Sequence, residues 1–393
     1  VGSYQVGEEI GRGGMAVVYQ ATRADGAYRQ QVAVKVIKKG LDTDQVIKRF
    51  QYERQILADL THPGIVNLLD AGVTENGSPY FVMEKVNGQP ITKYCQQNKL
   101  NLTSRIQLFI NVLDAVQFAH QQLIVHRDIK PSNIYVNEDG RLKLMDFGIA
   151  KILKEGEQNT QLTSPGQHLM TPDYASPEQF DQSNVSVASD LYQLGIMLYE
   201  IVTGEFPYPL EGKTSKEREQ IIKNESPVMP SKRNSGFAAR LKGDLDNIIL
   251  KALQKEPERR YNSVEAFKQD LDNYLQGRPV QARASSFAYK AGKYIKRNKV
   301  TVTAVVLIFV FMLSAMVISL WQTSIANREK KVAIDEANKS KIIAEYLTNI
   351  FNAGDPTLQL GNKITATELV DKGHAQLMLL NDQPEVKLEF QSI

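Results

Sequence analysis

The sequence has a single cysteine, almost no excess charge and no methionine at its first position. Cys95 is the only cysteine among 393 residues, so it cannot form a disulfide within the chain, and we expect the larger part of the chain to occupy a reducing compartment. The 47 lysines and arginines nearly balance the 44 aspartates and glutamates, so net charge does not indicate nucleic-acid binding. No signal-peptide pattern begins the chain, and its last residues look like an interrupted helix. We therefore expect the sequence to be a fragment.

The stretch from His126 to Asn133 contains three groups that phosphoryl transfer requires. Asp128 can orient an acceptor hydroxyl and take its proton, Lys130 places positive charge near the moving phosphoryl group, and Asn133 offers an oxygen ligand to a metal. A polar turn without catalytic function is the alternative. The residue types and their spacing favour phosphoryl transfer.

Two features nearer the amino terminus are compatible with nucleotide binding. Glycines at positions 11, 13 and 14 lie in a turn between two strand-like runs, where backbone N–H groups can approach phosphates closely. The apolar run 32–37 contains Lys35, whose ammonium needs an anionic partner if it is buried. Each feature has an ordinary alternative when taken alone, namely a plain hairpin turn and an edge-strand lysine that faces water.

Asp146-Phe147-Gly148 follows two short strand-like runs that a turn at 137–140 joins. A carboxylate at the end of a buried strand is costly unless a cation lies beside it. An aspartate that merely caps a turn is the alternative for this tripeptide.

Taken together, these motifs resemble those of eukaryotic-type protein kinases and occur in the family's order, and Lys130 matches the serine/threonine-specific members. The resemblance covers residues 4–276 and implies an α+β fold with a small β-rich lobe and a large helical lobe. It also implies ATP and Mg²⁺ as cofactors and proteins as substrates. The implied catalytic and metal-binding residues are the base Asp128, the charge-stabilising Lys130, and Asn133 and Asp146 as ligands of Mg²⁺.

The resemblance also implies a nucleotide pocket with apolar walls and exposed backbone groups for adenine. Ala16 replaces the third glycine of the family's loop, Tyr135 stands where most relatives have leucine, and Met83 takes the position that limits pocket depth. An ordinary β-sheet core explains the apolar members equally well. The residues implied to contact ATP, with the Lys35 partner Glu53, are Gly11, Gly13, Val18, Ala33, Lys35, Glu53, Met83, Glu84, Val86, Tyr135 and Asp146.

The polar stretch 154–168 resembles an activation loop. Arg127, beside the catalytic base, needs an anionic partner, and a phosphorylated hydroxyl in this loop is the family's usual one. Ordinary solvated hydroxyls are the alternative. Thr171 matches a threonine that supports the catalytic site, and the candidates for phosphorylation are Thr160, Thr163 and Ser164.

Other matches to the family are structural. Glu178 is implied to form a buried ion pair with Arg260, and Asp190 to hold the backbone of the catalytic loop. Helical spacing of apolar residues predicts helices at 102–122 and 263–275, and strand-like runs predict strands at 62–66 and 80–86.

Residues 300–321 contain no charged side chain and are long enough to cross a bilayer as one helix. A buried core helix is the alternative, although it would normally be shorter and carry a polar face. Basic residues crowd 277–299, which we interpret as a juxtamembrane linker. Since ATP is supplied in the cytoplasm, we expect the kinase side to lie there, in the inner membrane of a bacterial cell.

Residues 322–393 are then expected to form an extracytoplasmic helical segment with a break at 354–356. Thr365 to Glu368 form a capping box that predicts a second helix, and 382–385 predict the start of a third. The segment resembles the stretch before tetratricopeptide repeats in bacterial membrane-bound serine/threonine kinases. That resemblance implies a periplasmic array that binds proteins or peptides, and a homodimer through the membrane helix is a further hypothesis.

The predicted function is ATP-dependent phosphorylation of serine and threonine in proteins, including autophosphorylation, by a transmembrane receptor. The alternative is a membrane-anchored pseudokinase that binds nucleotide or partners without catalysis. Ala16 and Tyr135 favour that alternative, whereas the intact Lys35, Asp128, Asn133 and Asp146 oppose it. A small-molecule kinase is disfavoured by Ser176-Pro177-Glu178 and by Thr171.

Overall fold

The amino-terminal lobe is an antiparallel sheet whose alternating apolar residues share one core. A computed structural model describes residues 1–13, 16–24, 30–38, 60–147, 172–181 and 185–353, and the single positions 365, 367, 370 and 371. Five strands pair in the order β1-β2-β3-β5-β4. They are β1 (Tyr4–Arg12), β2 (Ala16–Arg23), β3 (Gln31–Ile37), β4 (Leu68–Val73) and β5 (Pro79–Glu84).

The core of this sheet is small because only one side chain in two along a strand faces it. Val32 and Val34 of β3 are fully buried, and so is Val82 of β5. Tyr4, Ala21 and Tyr80 complete the cluster. The intervening position 33 faces the other side of the sheet, where the nucleotide pocket is predicted.

The predicted strand at 62–66 is wrong. The N–H of Ile65 donates to the carbonyl of His62 at 3.0 Å, which makes this segment a turn. Pro63 has no N–H to offer a ladder, and the His62 ring accepts the N–H of Gly64 at 3.0 Å. Only Ile65 forms a bridge, with Leu144, and the strand that follows begins at Leu68.

The second lobe is helical, with a small sheet of β6 (Gln89–Pro90), β7 (Ile134–Val136) and β8 (Leu142–Leu144). Asn101 caps the long helix by accepting the N–H of Ser104 at 2.9 Å. The helices at 102–122 and 263–275 are confirmed to within one residue at each end. The described helices are α1 (Ile91–Gln97), α2 (Leu102–Gln121), α3 (Pro177–Phe180), α4 (Val187–Thr203), α5 (Ser215–Asn224), α6 (Ala238–Leu241), α7 (Asp244–Ala252), α8 (Val264–Leu275) and α9 (Phe287–Arg297).

Helix α4 lies at the centre of the helical lobe. Its residues are buried on nearly every side, which fits a helix that is apolar almost all round. Gly204, at a φ of 80°, ends it in the left-handed conformation that a residue with a Cβ avoids. The few polar residues on α4, Asp190 and Gln193 among them, are therefore buried and must bond to the protein. The predicted α+β arrangement, with a small β-rich lobe and a larger helical one, is confirmed.

A buried carboxylate holds the chain where it leaves the helical lobe. Asp270 of α8 is fully buried. It accepts the N–H of Gln281 at 2.6 Å, the N–H of Ala282 at 2.8 Å and the hydroxyl of Tyr261 at 2.9 Å. Three charge-assisted bonds compensate the desolvation of this group.

The remaining helix, α10 (Lys299–Ala353), contains 55 residues and falls in a second structural unit, Asn298–Ile393. At 1.5 Å per residue it is about 80 Å long. It is the one described helix long and apolar enough to cross a membrane, with a mean hydropathy of 2.7 over its most apolar window. It ends at Ala353, next to the predicted break, and the further predicted helices lie outside the described residues apart from isolated positions.

Candidate active site

Asp190 fixes the backbone of the catalytic loop. Its carboxylate accepts the N–H groups of His126 and Arg127, both at 2.8 Å, and contacts His120 Nε2 at 2.8 Å. Arg127 has a φ of +68°, a left-handed conformation that costs a non-glycine residue free energy. The two bonds to Asp190 offset that cost, and the role predicted for Asp190 agrees with this geometry.

Two glutamines, which the sequence analysis missed, also hold this loop. Gln193 Oε1 accepts the N–H of Ile129 at 2.7 Å, and Gln193 Nε2 donates to the carbonyl of Arg127 at 3.3 Å. Gln179 Nε2 donates to the same carbonyl at 3.2 Å. Gln193 lies three residues after Asp190 and so on the same face of α4. That spacing of polar residues in an apolar helix is the signal that could have identified Gln193.

The structure brings Asp128, Lys130 and Asn133 together. Lys130 Nζ lies 2.9 Å from Asp128 Oδ2. Asn133 Nδ2 donates to the backbone carbonyl of Asp128 at 2.8 Å and approaches Asp128 Oδ2 at 3.3 Å. These contacts hold the carboxylate in one orientation before any substrate binds.

Lys35 and Asp146 form the second half of the site. Lys35 Nζ lies 2.7 Å from Asp146 Oδ1, so the ammonium in β3 has the anionic partner that its position demands. Asp146 has a φ of +56° and is one of four non-glycine residues with positive φ among those that the structure describes. Such conformations concentrate at functional sites, and Arg127 in the catalytic loop is another of the four.

Met145 joins the two halves through its backbone. Its N–H donates to the carbonyl of Asn133 at 2.8 Å, and its carbonyl accepts a bond from His126 Nε2 at 3.0 Å. Asp146 is the next residue, so both metal-ligand candidates belong to one bonded network.

His126 is a buried, neutral part of that network. It is fully buried, and this burial lowers the pKa of its imidazole. Nε2 faces the carbonyl of Met145, while Nδ1 accepts the N–H of Asp128 at 3.3 Å, so the proton of the neutral ring belongs on Nε2. The ring packs against Phe147 with centroids 4.6 Å apart. His126 thereby supports the residues on either side of the site.

The residues predicted to contact adenine lie on β2, β3, β5 and β7 and in the segment after β5. Ala33 is buried and lies opposite Met83 in the β3–β5 ladder, and Val18 lies opposite Lys35 in the β2–β3 ladder. Tyr135 is half-buried in β7. Gly11 lies opposite Val18, and the N–H of Gly13 donates to the carbonyl of Ala16 at 2.9 Å.

Glu84, at the end of β5, has a structural use for its side chain. It accepts the N–H of Asn67 at 3.0 Å and pairs with Lys143 of β8 at 2.5 Å. Lys143 also donates to the carbonyl of Ile65 at 3.1 Å. The backbone N–H of Glu84 is also engaged, since it donates to the carbonyl of Asn67 at 3.1 Å.

The Glu178–Arg260 pair is present and buried. The guanidinium meets the two carboxylate oxygens at 2.8 Å each, with side-chain exposures of 0% for Arg260 and 12% for Glu178. Burial alone would raise the pKa of Glu178, but the bonds from Arg260 outweigh it and hold the pKa below its usual value. Ser189 Oγ adds a bond to Glu178 at 2.7 Å.

Five predicted residues, namely Glu53, Thr160, Thr163, Ser164 and Thr171, lie outside the residues that the structure describes.

The donor set fits a hard divalent cation that is shared with phosphates. Among the described residues no group of three or more His, Cys, Asp or Glu side chains forms a metal cage. Asp146 and Asn133 instead offer one carboxylate and one amide oxygen, since Asn133 Nδ2 is already bonded to Asp128. Mg²⁺ in nucleotide sites typically takes one or two such ligands and completes its shell with phosphates and water.

A family model described as a protein kinase domain matches residues 4–271. A probable serine/threonine-protein kinase of Streptomyces coelicolor is 36% identical over 298 residues, which are 75% of this chain and 43% of the relative. Serine/threonine-protein kinase PknB of Mycobacterium tuberculosis is 36% identical over 284 residues, covering 71% of this chain and 44% of PknB. This chain therefore spans under half the length of these curated relatives.

Solved structures agree in fold. The kinase domain of Mycobacterium tuberculosis PknI superposes with a TM-score of 0.52 at 23% identity, covering 70% of this chain and 96% of that domain. Rad53 1-466, solved in complex with AMP-PNP, superposes with a TM-score of 0.55 at 25% identity, covering 68% of this chain and 64% of Rad53.

Proposed function

The chain belongs to the protein kinase family, and we propose that it is an active serine/threonine kinase that transfers the γ-phosphoryl group of ATP to hydroxyls of proteins. The observation that carries this proposal is the joined pair of clusters, Asp128 with Lys130 and Asn133, and Lys35 with Asp146. A pseudokinase needs none of these groups to be intact.

Each side chain of the site has a role that follows from its chemistry. Asp128, held by Asn133, orients the substrate hydroxyl and takes its proton as the oxygen attacks. Lys130, beside Asp128, stabilises negative charge that develops on the transferred group. Lys35 moves from Asp146 to the phosphates of ATP, or contacts both, with Glu53 as its proposed helix partner.

Asn133 and Asp146 would hold Mg²⁺, which when bound neutralises phosphate charge and aligns the phosphates. The adenine would lie against Val18, Ala33, Met83 and Tyr135 and bond to the backbone of Glu84 and Val86, with Gly11 and Gly13 near the phosphates. Tyr135 is larger than the leucine of most relatives and narrows this space.

We also propose that autophosphorylation in 154–168 regulates the site, with Thr160, Thr163 and Ser164 as acceptors and Thr171 supporting the base. Gln179 supports this link. It lies shortly after that loop in sequence and donates to the carbonyl of Arg127, so it connects the end of the loop to the residue beside the base. A phosphate would bind the Arg127 guanidinium.

The proposed domains are the kinase domain at 4–276, a basic juxtamembrane segment at 277–299, a transmembrane helix at 300–321 and an extracytoplasmic segment at 322–393. The apolar, exposed first half of α10 supports the span. On this proposal the protein is a single-pass receptor of the inner membrane, with a cytoplasmic kinase domain. Its proposed partners are a second copy and an extracytoplasmic protein or peptide, bound by a region resembling that of the tetratricopeptide-repeat kinases.

The enzymatic proposal is tested by incubating the full chain in detergent with labelled ATP and Mg²⁺ and mapping phosphate by mass spectrometry. We expect Asp128→Asn to lower labelling by about 10²–10⁴-fold, the usual contribution of a general base. The control is Asp139→Asn in the exposed turn after β7, which removes the same charge. We expect the control to label as wild type, chiefly within 154–168. Equal labelling by wild type and Asp128→Asn would overturn the proposal.

A further inference from the structure

Helix α9 lies on the helical lobe with its polar side inward. Lys293 Nζ lies 2.6 Å from Asp244 Oδ2 of α7, and Arg283 pairs with the other oxygen of Asp244 at 3.2 Å. The hydroxyl of Tyr289, one turn before Lys293, accepts the N–H of Val280 at 3.0 Å. The Arg283 guanidinium lies 4.5 Å from the Tyr289 ring. These contacts fix which side of α9 faces the domain.

The outward side of α9 carries its large apolar residues. Phe287, Tyr294 and Ile295 follow the i, i+7, i+8 spacing of one helical face, which lies opposite Tyr289 and Lys293. Their exposed fractions are 89%, 53% and 49%. A surface helix of a soluble protein normally buries such a face against its own core, so this orientation is inverted.

The surroundings of this face are strongly basic. Lys290, Lys296 and Arg297 are exposed on α9, and no acidic residue occurs in the sequence between Asp272 and Glu329. Only Asn298 separates the end of α9 from the start of α10 at Lys299. If α10 crosses a bilayer from about residue 300, the connection keeps the carboxyl end of α9, at Arg297, within a few ångströms of the bilayer surface.

We propose that the outward face of α9 binds the surface of an anionic phospholipid leaflet, with Phe287, Tyr294 and Ile295 entering the interfacial region. Lys290 and Arg297, which lie next to Tyr294 around the helix, contact lipid phosphates beside them. Because Asp244 holds the opposite side of α9, this contact also sets which edge of the kinase domain faces the membrane. The inference rests on the proposed membrane span and adds a second contact with the lipid.

The test uses the full chain in lipid nanodiscs that contain either phosphatidylcholine alone or phosphatidylcholine with phosphatidylglycerol. A nitroxide is attached to Ile295→Cys, and its accessibility to lipid-soluble oxygen and to an aqueous nickel complex is measured. Burial raises the pKa of the Cys95 thiol to about 11, so the native cysteine stays unlabelled at neutral pH. Reference labels at Val310→Cys and Glu211→Cys report the proposed span and an exposed loop.

With anionic lipid, we expect the label at 295 to gain oxygen contact and lose nickel contact. With neutral lipid, or with Lys290→Glu and Arg297→Glu combined, we expect it to return to the aqueous pattern of position 211. A matched control combines Lys93→Glu and Lys216→Glu, two exposed residues away from α9, and should keep the lipid pattern.

Three results would overturn the inference. An aqueous pattern at 295 in anionic discs, with position 310 in lipid, would remove the α9 contact and leave the span. An aqueous pattern at 310 would remove both. Protection at 295 that is independent of lipid charge, with spin–spin broadening between labels, would assign the face to a second copy of the chain.

Discussion

The helical lobe and helix α10 place polar and apolar side chains in opposite positions. In the lobe, Asp190, Arg260 and Asp270 are buried and bonded, while apolar side chains fill the space around them. In α10, residues such as Val310 and Trp321 are exposed by 52% and 66%. The buried charges of the lobe hold loops in place, whereas α10 exposes an apolar surface that water solvates poorly. The two regions are suited to different solvents.

The largest effect is expected for Arg260→Met, which tests whether buried charge stabilises the helical lobe. It leaves Glu178 buried without its guanidinium partner, and we expect the free energy of unfolding to fall by about 3–5 kcal/mol. Urea denaturation of the kinase domain, followed within the full chain, measures this loss. Arg259→Met is the control, because the Arg259 side chain is 68% exposed. Its loss should change the free energy of unfolding by less than about 1 kcal/mol. Equal losses for the two variants would contradict a structural role for the buried pair.

Val310→Lys tests whether the apolar surface of α10 lies in a bilayer. If residues 300–321 lie in a bilayer, a lysine near the middle should make insertion less favourable by about 2.5–3.5 kcal/mol. Val332→Lys is the matched control on the same helix, since Val332 is 62% exposed but lies beyond the proposed span. The inserted fraction is measured by glycosylation of an acceptor site in the tail. Two variants that insert alike would show that α10 lies in water at both positions.

A smaller effect concerns pH, because the buried His126 is held neutral. Burial lowers the folded pKa of His126 below the usual histidine value of about 6.5. Below about pH 6.5 the unfolded chain therefore binds a proton that the folded chain excludes, so stability is present at neutral pH and falls as pH drops, by at most about 1.4 kcal/mol per pH unit. Denaturation midpoints between pH 5 and 7 measure the slope. His126→Gln should reduce the slope of stability against pH more than His62→Gln does, because the His62 imidazole is less buried. The reverse order would contradict a buried, neutral His126.

Short motifs predicted the site better than they predicted its supports. Asp128, Lys130 and Asn133 could be chosen because eight adjacent residues fix their chemistry and spacing. Gln193 of α4 could have been identified from its spacing after Asp190, but for Gln179 of α3 only the folded chain shows the contact with the catalytic loop. His126 was part of the quoted motif, yet its burial, and so its neutral state, depends on Met145 and Phe147 packing against it.

One error and one omission have local physical causes. Residues 62–66 have strand-like composition, but the Pro63 ring and the His62–Ile65 bond favour a turn. The basic juxtamembrane linker at 277–299 stays a prediction, but the sequence analysis did not predict a helix within it. The helix within it, α9, depends on the docking of Tyr289 and Lys293 on the domain, and no property of the segment alone shows that.

Asp270 has a mechanical consequence. A load applied to the chain beyond Arg297 meets the contacts of α9 with Asp244 first, then the two backbone bonds that the Asp270 carboxylate accepts, and then α8. Helix α8 is coupled to α2 by Lys268 with Asp114 at 2.5 Å, and by Phe267 with Phe109 at 5.8 Å between ring centroids. Helix α2 leads directly into the catalytic loop. A force applied through the residues after Arg297 would therefore reach the helix that precedes the catalytic base.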